Sequence, residues 1–278
     1  MSKPNRRIIH HIYRVFASLW KRHRSACGEH CRTNLTVFMV FLVAATTAVF
    51  LNGGWASQVP APEPRGVDDI GAEIVWGDRT EREVLFSFDG GAGAESGEAI
   101  LAALKKHGVT GTFFLTGKFA EENSALVQRI AREGHGVFNH TYAHRDLTTL
   151  SDEEIKGELA RTDALIQNLT GESTRPYFRA PYGARDARVL AVAAEEGYQS
   201  VYWTTDVLDW KETEGFTAAE AKARIMRNLA PGAIFLMHIG DTITGAILDE
   251  VFTEIEAEGY ALTSLPGAPS IARAKTSP

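Results

Sequence analysis

The sequence predicts an α/β fold in which about seven parallel strands alternate with helices and close, or nearly close, into a barrel. Three observations carry this reading. Short apolar runs alternate with amphipathic stretches from Arg82 onward. Several of those stretches have their own start and stop signals. Chemically versatile side chains fall just past the strand ends, which in a parallel barrel all lie on one face.

In order, Val84–Phe88 is the first strand, and Glu98–Lys106 reads as a helix that stops before Gly108. Strand Gly111–Thr116 leads to helix Asn123–Glu133, closed by Gly134, and then to strand Gly136–Asn139. Helix Ser151–Leu169 opens on a capping box, in which the Ser151 hydroxyl and the Glu154 carboxylate satisfy free N–H groups of the first turn, and it ends at Gly171. Strand Tyr177–Arg179, helix Ala187–Glu196 with Gly197 after it, and strand Ser200–Thr204 follow. Helix Thr217–Leu229 has a second capping box, Thr217 with Glu220. Strand Ala233–Met237, helix Thr244–Glu258 before Gly259, and strand Ala261–Leu265 complete the series. Repeated strand–helix alternation of this kind argues for a parallel sheet with helices packed outside.

With 278 residues, 44% of them hydrophobic and 23% charged, the chain can bury a core, so general disorder is excluded. Two cysteines cannot build a disulfide framework, and a net charge of -6 argues against a nucleic-acid partner. The charge is divided. Residues 1–34 hold eight Lys/Arg and the single acid Glu29, giving +7; the remaining 21 basic and 34 acidic residues give -13.

Leu35–Leu51 is 17 residues without a charge, long enough as a helix to span about 26 Å of bilayer. The basic run before it keeps residues 1–34 in the cytoplasm by the positive-inside rule and exports the rest. Residues 35–55 are therefore read as a signal anchor in contact with membrane lipid, leaving the domain after it on the periplasmic or extracellular side. Small residues around Gly54-Trp55-Ala56 offer the alternative of a signal peptide cleaved after Ala56, which would make the domain secreted. Cys27 and Cys31 read as isolated thiols. Residues 56–80, with Pro60, Pro62 and Pro64, are a linker; 81–270 form the catalytic domain and 271–278 a tail.

Five strand ends present Asp89, His140 with His144, Arg179, Asp206 with Asp209, and His238. Two imidazoles four residues apart can share a metal ion, and the residue after His140 is not Glu, which excludes a metalloprotease helix. Each feature taken singly has a bland explanation: a turn-starting Asp, loop histidines, a packing Trp210, a core histidine at 238. Together they are hard to attribute to chance.

The order and spelling of these elements, from about Val84 to Leu265, resemble the polysaccharide deacetylase domain, carbohydrate esterase family four, related to nodulation-factor deacetylases. The family's five motifs stand here as Ser87-Phe88-Asp89-Gly90-Gly91, His140–His144, Arg179–Gly183, Asp206–Trp210 and Leu236–His238. The resemblance implies a distorted (β/α) barrel and removal of N-acetyl groups from amino-sugar polymers, with a divalent metal, usually zinc. It implies that His140 and His144 hold the metal, which polarises the acetamide carbonyl and acidifies water. Asp89 is then the general base, paired with Arg179; the Tyr182 backbone N–H helps carry the oxyanion. His238, oriented by Asp209, protonates the departing amine, and Trp210 and Leu236 shape the acetyl pocket. Asp206 receives no role.

The departure from the family pattern is Gly90, where the family has an Asp that is its third protein ligand to the metal. Glu95, in the glycine-rich loop beyond, is the candidate substitute; alternatively Asp89 binds the metal itself. A weaker His–His site that still turns over is the preferred expectation, and restoring an Asp at 90 is expected to tighten zinc. The alternative is a membrane-tethered glycan-binding protein that has lost turnover. Peptidoglycan is the first expected substrate, then chitin-like polymers and poly-N-acetylglucosamine.

Overall fold

The computed structural model describes residues 73–266. The basic segment, the apolar run Leu35–Leu51, the Ala56 cleavage position, Cys27 and Cys31, the linker as far as residue 72 and the 271–278 tail lie outside the described residues. Among the described residues no helix is long and apolar enough to cross a membrane.

Eight strands form one sheet: β1 Glu83–Gly90, β2 Thr112–Leu115, β3 Gly136–Asn139, β4 Tyr177–Phe178, β5 Gln199–Ser200, β6 Thr205–Asp206, β7 Ala233–His238 and β8 Ala261–Thr263. Seven follow the order β5-β4-β3-β2-β1-β7-β6, and β8 pairs with the first residues of β1. Every pairing is parallel. The helices are α1 Gly97–His107, α2 Gly117–Glu122, α3 Ser124–Arg132, α4 Asp152–Thr170, α5 Ala187–Glu195, α6 Ala218–Arg227 and α7 Thr242–Ala257. Both capping boxes form, on α4 and α6, and Gly108 and Gly171 adopt the left-handed conformation that ends α1 and α4.

One expectation needs correction, and one element is additional to those expected. The single strand Ser200–Thr204 is two short strands, because the chain changes neighbours there: Val201 N–H donates to Phe178 O on β4, whereas Thr204 N–H donates to Ile234 O on β7. The described residues thus hold eight strands, seven of them along one path in keeping with the expected number, and among them no ladder joins β5 to β6. The barrel is distorted and open at that seam. Helix α2 was not foreseen; it is a six-residue element whose first turn is capped by the Thr116 hydroxyl, which accepts from Phe119 N–H.

Period-two alternation sorts β1 and β7 into two faces. Val84, Phe86 and Phe88, with Phe235 and Met237, join the large core under α1 and α7. There Phe86 stacks on Phe235 at 4.9 Å and meets Phe252 edge-on at 5.0 Å; burial of each such ring stabilises the fold by about 1.5–3 kcal/mol. Leu85, Ser87 and Asp89 take the other face, in register with Ile234, Leu236 and His238. Leu85 and Ile234 belong to a separate cluster with Phe114, Phe138, Tyr177 and Val201 that fills the barrel. The polar residues begin one rung above this plug.

Candidate active site

Ser87 and Asp89 are buried on the inward face of β1, and Arg179, just after β4, reaches both from a fully buried position. Its Nη1 donates to Asp89 Oδ1 at 2.6 Å and its Nη2 to Ser87 Oγ at 2.9 Å. The guanidinium is fixed further by Val201 O (Nε, 3.1 Å) and Tyr202 O (Nη2, 3.2 Å), and it lies over the Phe114 ring at 4.2 Å. A planar fork held at four points leaves Asp89 one aim.

His140 follows β3. Its Nδ1 lies 2.8 Å from Arg179 O, and a carbonyl only accepts, so Nδ1 carries the hydrogen. Burial lowers the His140 pKa, against the opposing pull of Asp89 and the Arg179 carbonyl, and the ring is neutral at pH 7. Nε2 therefore presents a bare lone pair, and it faces Asp89 Oδ2 at 3.5 Å. Two acceptors turned toward each other in a buried place call for a proton or a cation between them, and this fits the metal that the histidine pair suggested. His144 packs edge-on against His140, ring centroids 4.9 Å apart, and burial together with His140 lowers its pKa to about 4. Both rings are thus in the neutral form that ligation needs.

The loop between these histidines is strained and held. Thr141 and His144 have φ of 65° and 56°, the left-handed region, without being glycine. Glu158 on α4 accepts both Tyr142 N–H (2.8 Å) and Ala143 N–H (2.7 Å) through one oxygen. Asn139 accepts Thr141 N–H at 2.9 Å while its amide donates to Leu159 O, Thr174 Oγ1 and Tyr198 Oη. Neither Glu158 nor Asn139 was singled out from the sequence; the one local sign was Asn139 preceding the His-x-x-x-His spacing.

Across the mouth, Asp209 is fully buried. Its Oδ1 meets His238 Nδ1 at 2.9 Å; its Oδ2 accepts His238 N–H at 2.7 Å and the Thr244 hydroxyl at 2.5 Å. Burial disfavours the imidazolium, but the Asp209 hydrogen bond and charge, with Asp89 and Asp206 behind them, push the His238 pKa up to about 9. Asp241 brings a further carboxylate. Among the described residues, Asp209, His238 and Asp241 are the group whose ligand atoms all lie within 4.8 Å of one another. Asp209 already accepts three hydrogen bonds there, so its oxygens are largely committed within the protein. Burial and the charge of Asp209 raise the Asp241 pKa.

Asp206 gains a role. Its Oδ1 accepts Leu208 N–H at 2.8 Å and its Oδ2 the Trp210 indole N–H at 3.2 Å, so it shapes the turn that delivers Asp209. Trp210 is 43% exposed and Tyr182 72% exposed, both at the mouth, and Tyr182 meets His144 edge-on at 4.5 Å from a left-handed backbone, φ 59°. Leu236 is buried on β7, opposite Ser87.

Two expectations about the third ligand meet the geometry. Glu95 is exposed and its side chain folds over Gly93; among the described residues it forms no three-residue group of close ligand atoms with His140 and His144. At Gly90 a Cβ would meet apolar side chains, 2.7 Å from Leu115 Cδ2, 3.0 Å from Ile239 Cδ1 and 3.2 Å from Phe119 Cδ1.

Comparison with known proteins places this architecture. A family model described as polysaccharide deacetylase matches residues 77–201. The chain is 33% identical over 189 residues to the peptidoglycan-N-acetylmuramic acid deacetylase PdaA of Bacillus subtilis, covering 68% of this chain and 72% of that protein. It is 33% identical over 194 residues to a peptidoglycan-N-acetylglucosamine deacetylase of Bacillus cereus, covering 68% and 69%. Among solved structures, a Bacillus anthracis protein described as a CE4 family pseudoenzyme superposes with a TM-score of 0.67 at 31% identity, covering 71% of this chain and 69% of that one.

Proposed function

The chain belongs to the polysaccharide deacetylase family, carbohydrate esterase family 4, and from that premise we propose that it is a metal-dependent hydrolase that removes N-acetyl groups from amino-sugar polymers of the cell envelope. Peptidoglycan is the first substrate in this reading, ahead of chitin-like polymers and poly-N-acetylglucosamine. The observation that carries it is the pairing of Asp89 and His238 across β1 and β7, each with a separate partner, beside two neutral imidazoles.

In this proposal His140 and His144 hold a divalent metal, taken to be zinc, which when bound supplies Lewis acidity to the acetamide carbonyl and acidifies a water. Asp89 takes the proton of the attacking water, its Oδ1 engaged by Arg179 so that Oδ2 faces the site. The backbone N–H of Tyr182 donates to the carbonyl oxygen as charge develops. His238, its Nδ1–H spent on Asp209, presents Nε2 and returns a proton to the amine as the C–N bond breaks, releasing acetate and a free amino sugar. Trp210 and Leu236 flank the acetyl methyl.

Acetate release from N-acetylated peptidoglycan and chitin oligomers, with added zinc and with chelator, tests this. Release that chelator stops, and that Asp89→Asn and His238→Ala each abolish, is expected. No acetate from any of these glycans with bound metal confirmed would leave a glycan-binding protein instead.

We further propose that residues 35–51 anchor the chain in the membrane with the hydrolase outside, because the run is uncharged and the basic residues all precede it. Protease shaving of intact spheroplasts is expected to remove the domain and spare the amino terminus; a fully protected domain would reverse the orientation.

A further inference from the structure

The first described residues pair with the chain where it leaves β5, at the edge of the seam between β5 and β6. Ile74 N–H donates to Ser200 O at 2.8 Å, and Ile74 O accepts Tyr202 N–H at 2.7 Å, a parallel bridge to Val201. Beside it Glu73 takes the Arg185 fork on both oxygens, Nε to Oε1 and Nη2 to Oε2 at 2.7 Å each, and Oε1 also accepts the Ser200 hydroxyl at 2.9 Å. Arg185 is not an isolated anchor. Its Nη1 donates to Gly183 O at 3.1 Å, and its guanidinium lies 3.5 Å over the Tyr202 ring.

These contacts run to two parts of the site. The stretch that Ile74 holds by its amides is the one whose Val201 and Tyr202 carbonyls grip Arg179. The Gly183 carbonyl that Arg185 holds is one residue from Tyr182, in a turn where both residues are left-handed, with φ of 59° and 66°. The sheet holds the ends of the 201–204 stretch, Val201 N–H on Phe178 O and Thr204 N–H on Ile234 O, while between them Tyr202 N–H is held by Ile74 O. Both Glu73 and Arg185 are mostly buried, where an ion pair with two parallel hydrogen bonds is directional as well as attractive.

We propose that Glu73 is a positioning residue for the site: through Arg185 and the Ile74 bridge it sets the carbonyls that aim Arg179 at Asp89 and steadies the turn that carries Tyr182. The activity part of this proposal rests on the deacetylase reading above. The geometric part does not. The chain leading into the barrel thereby becomes part of the catalytic scaffold rather than a passive tether.

The test uses the full chain in detergent, labelled with 15N-arginine, as wild type, Glu73→Gln, Glu73→Ala and Asp152→Asn. The last removes an exposed ion pair with Arg188, outside the Glu73–Arg185 contacts. In Glu73→Ala the Arg179 Nε–H resonance is expected to shift and exchange faster with solvent, and kcat to fall about tenfold with KM little changed, as misplacement of a fixed group produces. Glu73→Gln, which keeps an acceptor for Nε, is expected to lie between it and wild type, and Asp152→Asn to match wild type in both readouts. An unmoved Arg179 signal in Glu73→Ala, or a moved signal with unchanged kcat, overturns the proposal. If wild type itself releases no acetate, the deacetylase reading fails while the Arg179 signal still decides whether Glu73 positions it.

Discussion

Asp89 and His238 occupy the same rung of the β1–β7 ladder, on the inward face, and each is committed to a different partner. Asp89 is bound by the Arg179 guanidinium and His238 by the Asp209 carboxylate, at 2.6 Å and 2.9 Å. A positive partner suits a group that must stay an acceptor, and a negative partner suits one that must hold a proton. The rung therefore sets a carboxylate with a cationic partner beside an imidazole with an anionic one, the division of labour that the proposed hydrolysis uses.

The His238 pKa of about 9 sets the first prediction. In the unfolded chain the ring has the ordinary value of 6.5, so its protonated form stabilises the fold fully below pH 6.5 and that contribution is lost as pH rises through about 9. In the proposed mechanism the general acid is lost over the same range, and the basic limb of kcat/KM is expected near pH 9. Asp209→Asn removes the charge that opposes burial, so the limb should fall to below neutrality. Proton NMR titration of His238 in the metal-free chain checks the assignment; a wild-type midpoint below 7 would refute it.

Glu158 sets the second. Left-handed backbone at Thr141 and His144 costs of order 1–3 kcal/mol each, and the Glu158 carboxylate offsets part of this by taking two N–H groups of the loop. Glu158→Ala leaves those donors without their acceptor and lets the loop relax away from the geometry that sets His144 beside His140. Zinc affinity, measured by competition with a chromophoric chelator, is expected to weaken about 10–100-fold, the usual penalty for losing outer support of a metal ligand. Glu158→Gln keeps an acceptor and should lose less. Unchanged affinity in Glu158→Ala would mean that the loop holds its shape unaided.

What could be read from the sequence follows the range of the interactions. The strand ends at Asp89, His140 and His238 were visible because local apolar runs and short spacings mark them. The Ser151 and Thr217 capping boxes were visible because they close within three residues. Arg179 could be named, but not its hold on Val201 and Tyr202, because those carbonyls lie where the chain leaves one neighbour for another. Asp206 looked like half of an acid pair with Asp209, whereas it closes a turn onto Leu208 and Trp210. Glu95 was suggested by proximity in sequence alone, and its exposed side chain folds back over Gly93.

Gly90 gives the third prediction. A carboxylate restored at this position was expected to reach the metal. The Cβ direction instead leads into Leu115, Phe119 and Ile239. Those contacts are side-chain ends that can shift, but the carboxylate would then be buried among apolar groups. Gly90→Asp is expected to destabilise the chain by about 1–3 kcal/mol by overpacking, visible as a lower Tm, and to leave zinc affinity unchanged. Tighter zinc with an unaltered Tm would show that the strand end turns to bring residue 90 to the histidines.

His135 gives the fourth, away from the site. Its Nδ1 accepts Gly111 N–H at 3.1 Å, so the hydrogen sits on Nε2, which is buried without a partner. Burial lowers its pKa, with Glu133 opposing, so the unfolded chain binds a proton here more readily than the folded one. The resulting stability is complete above pH 6.5 and is lost as pH falls below it. A second proton would also set an N–H against the Gly111 N–H and break the bond that joins α3's end to the start of β2. His135→Gln keeps an acceptor without a titrating ring. Its unfolding free energy in urea is expected to fall less steeply than wild type between pH 6.5 and 4.5, with His140 and His144 supplying the slope that remains in the metal-free chain. Identical slopes for the two proteins would mean that His135 is protonated as easily folded as unfolded, and that its buried Nε2 finds a partner in solution.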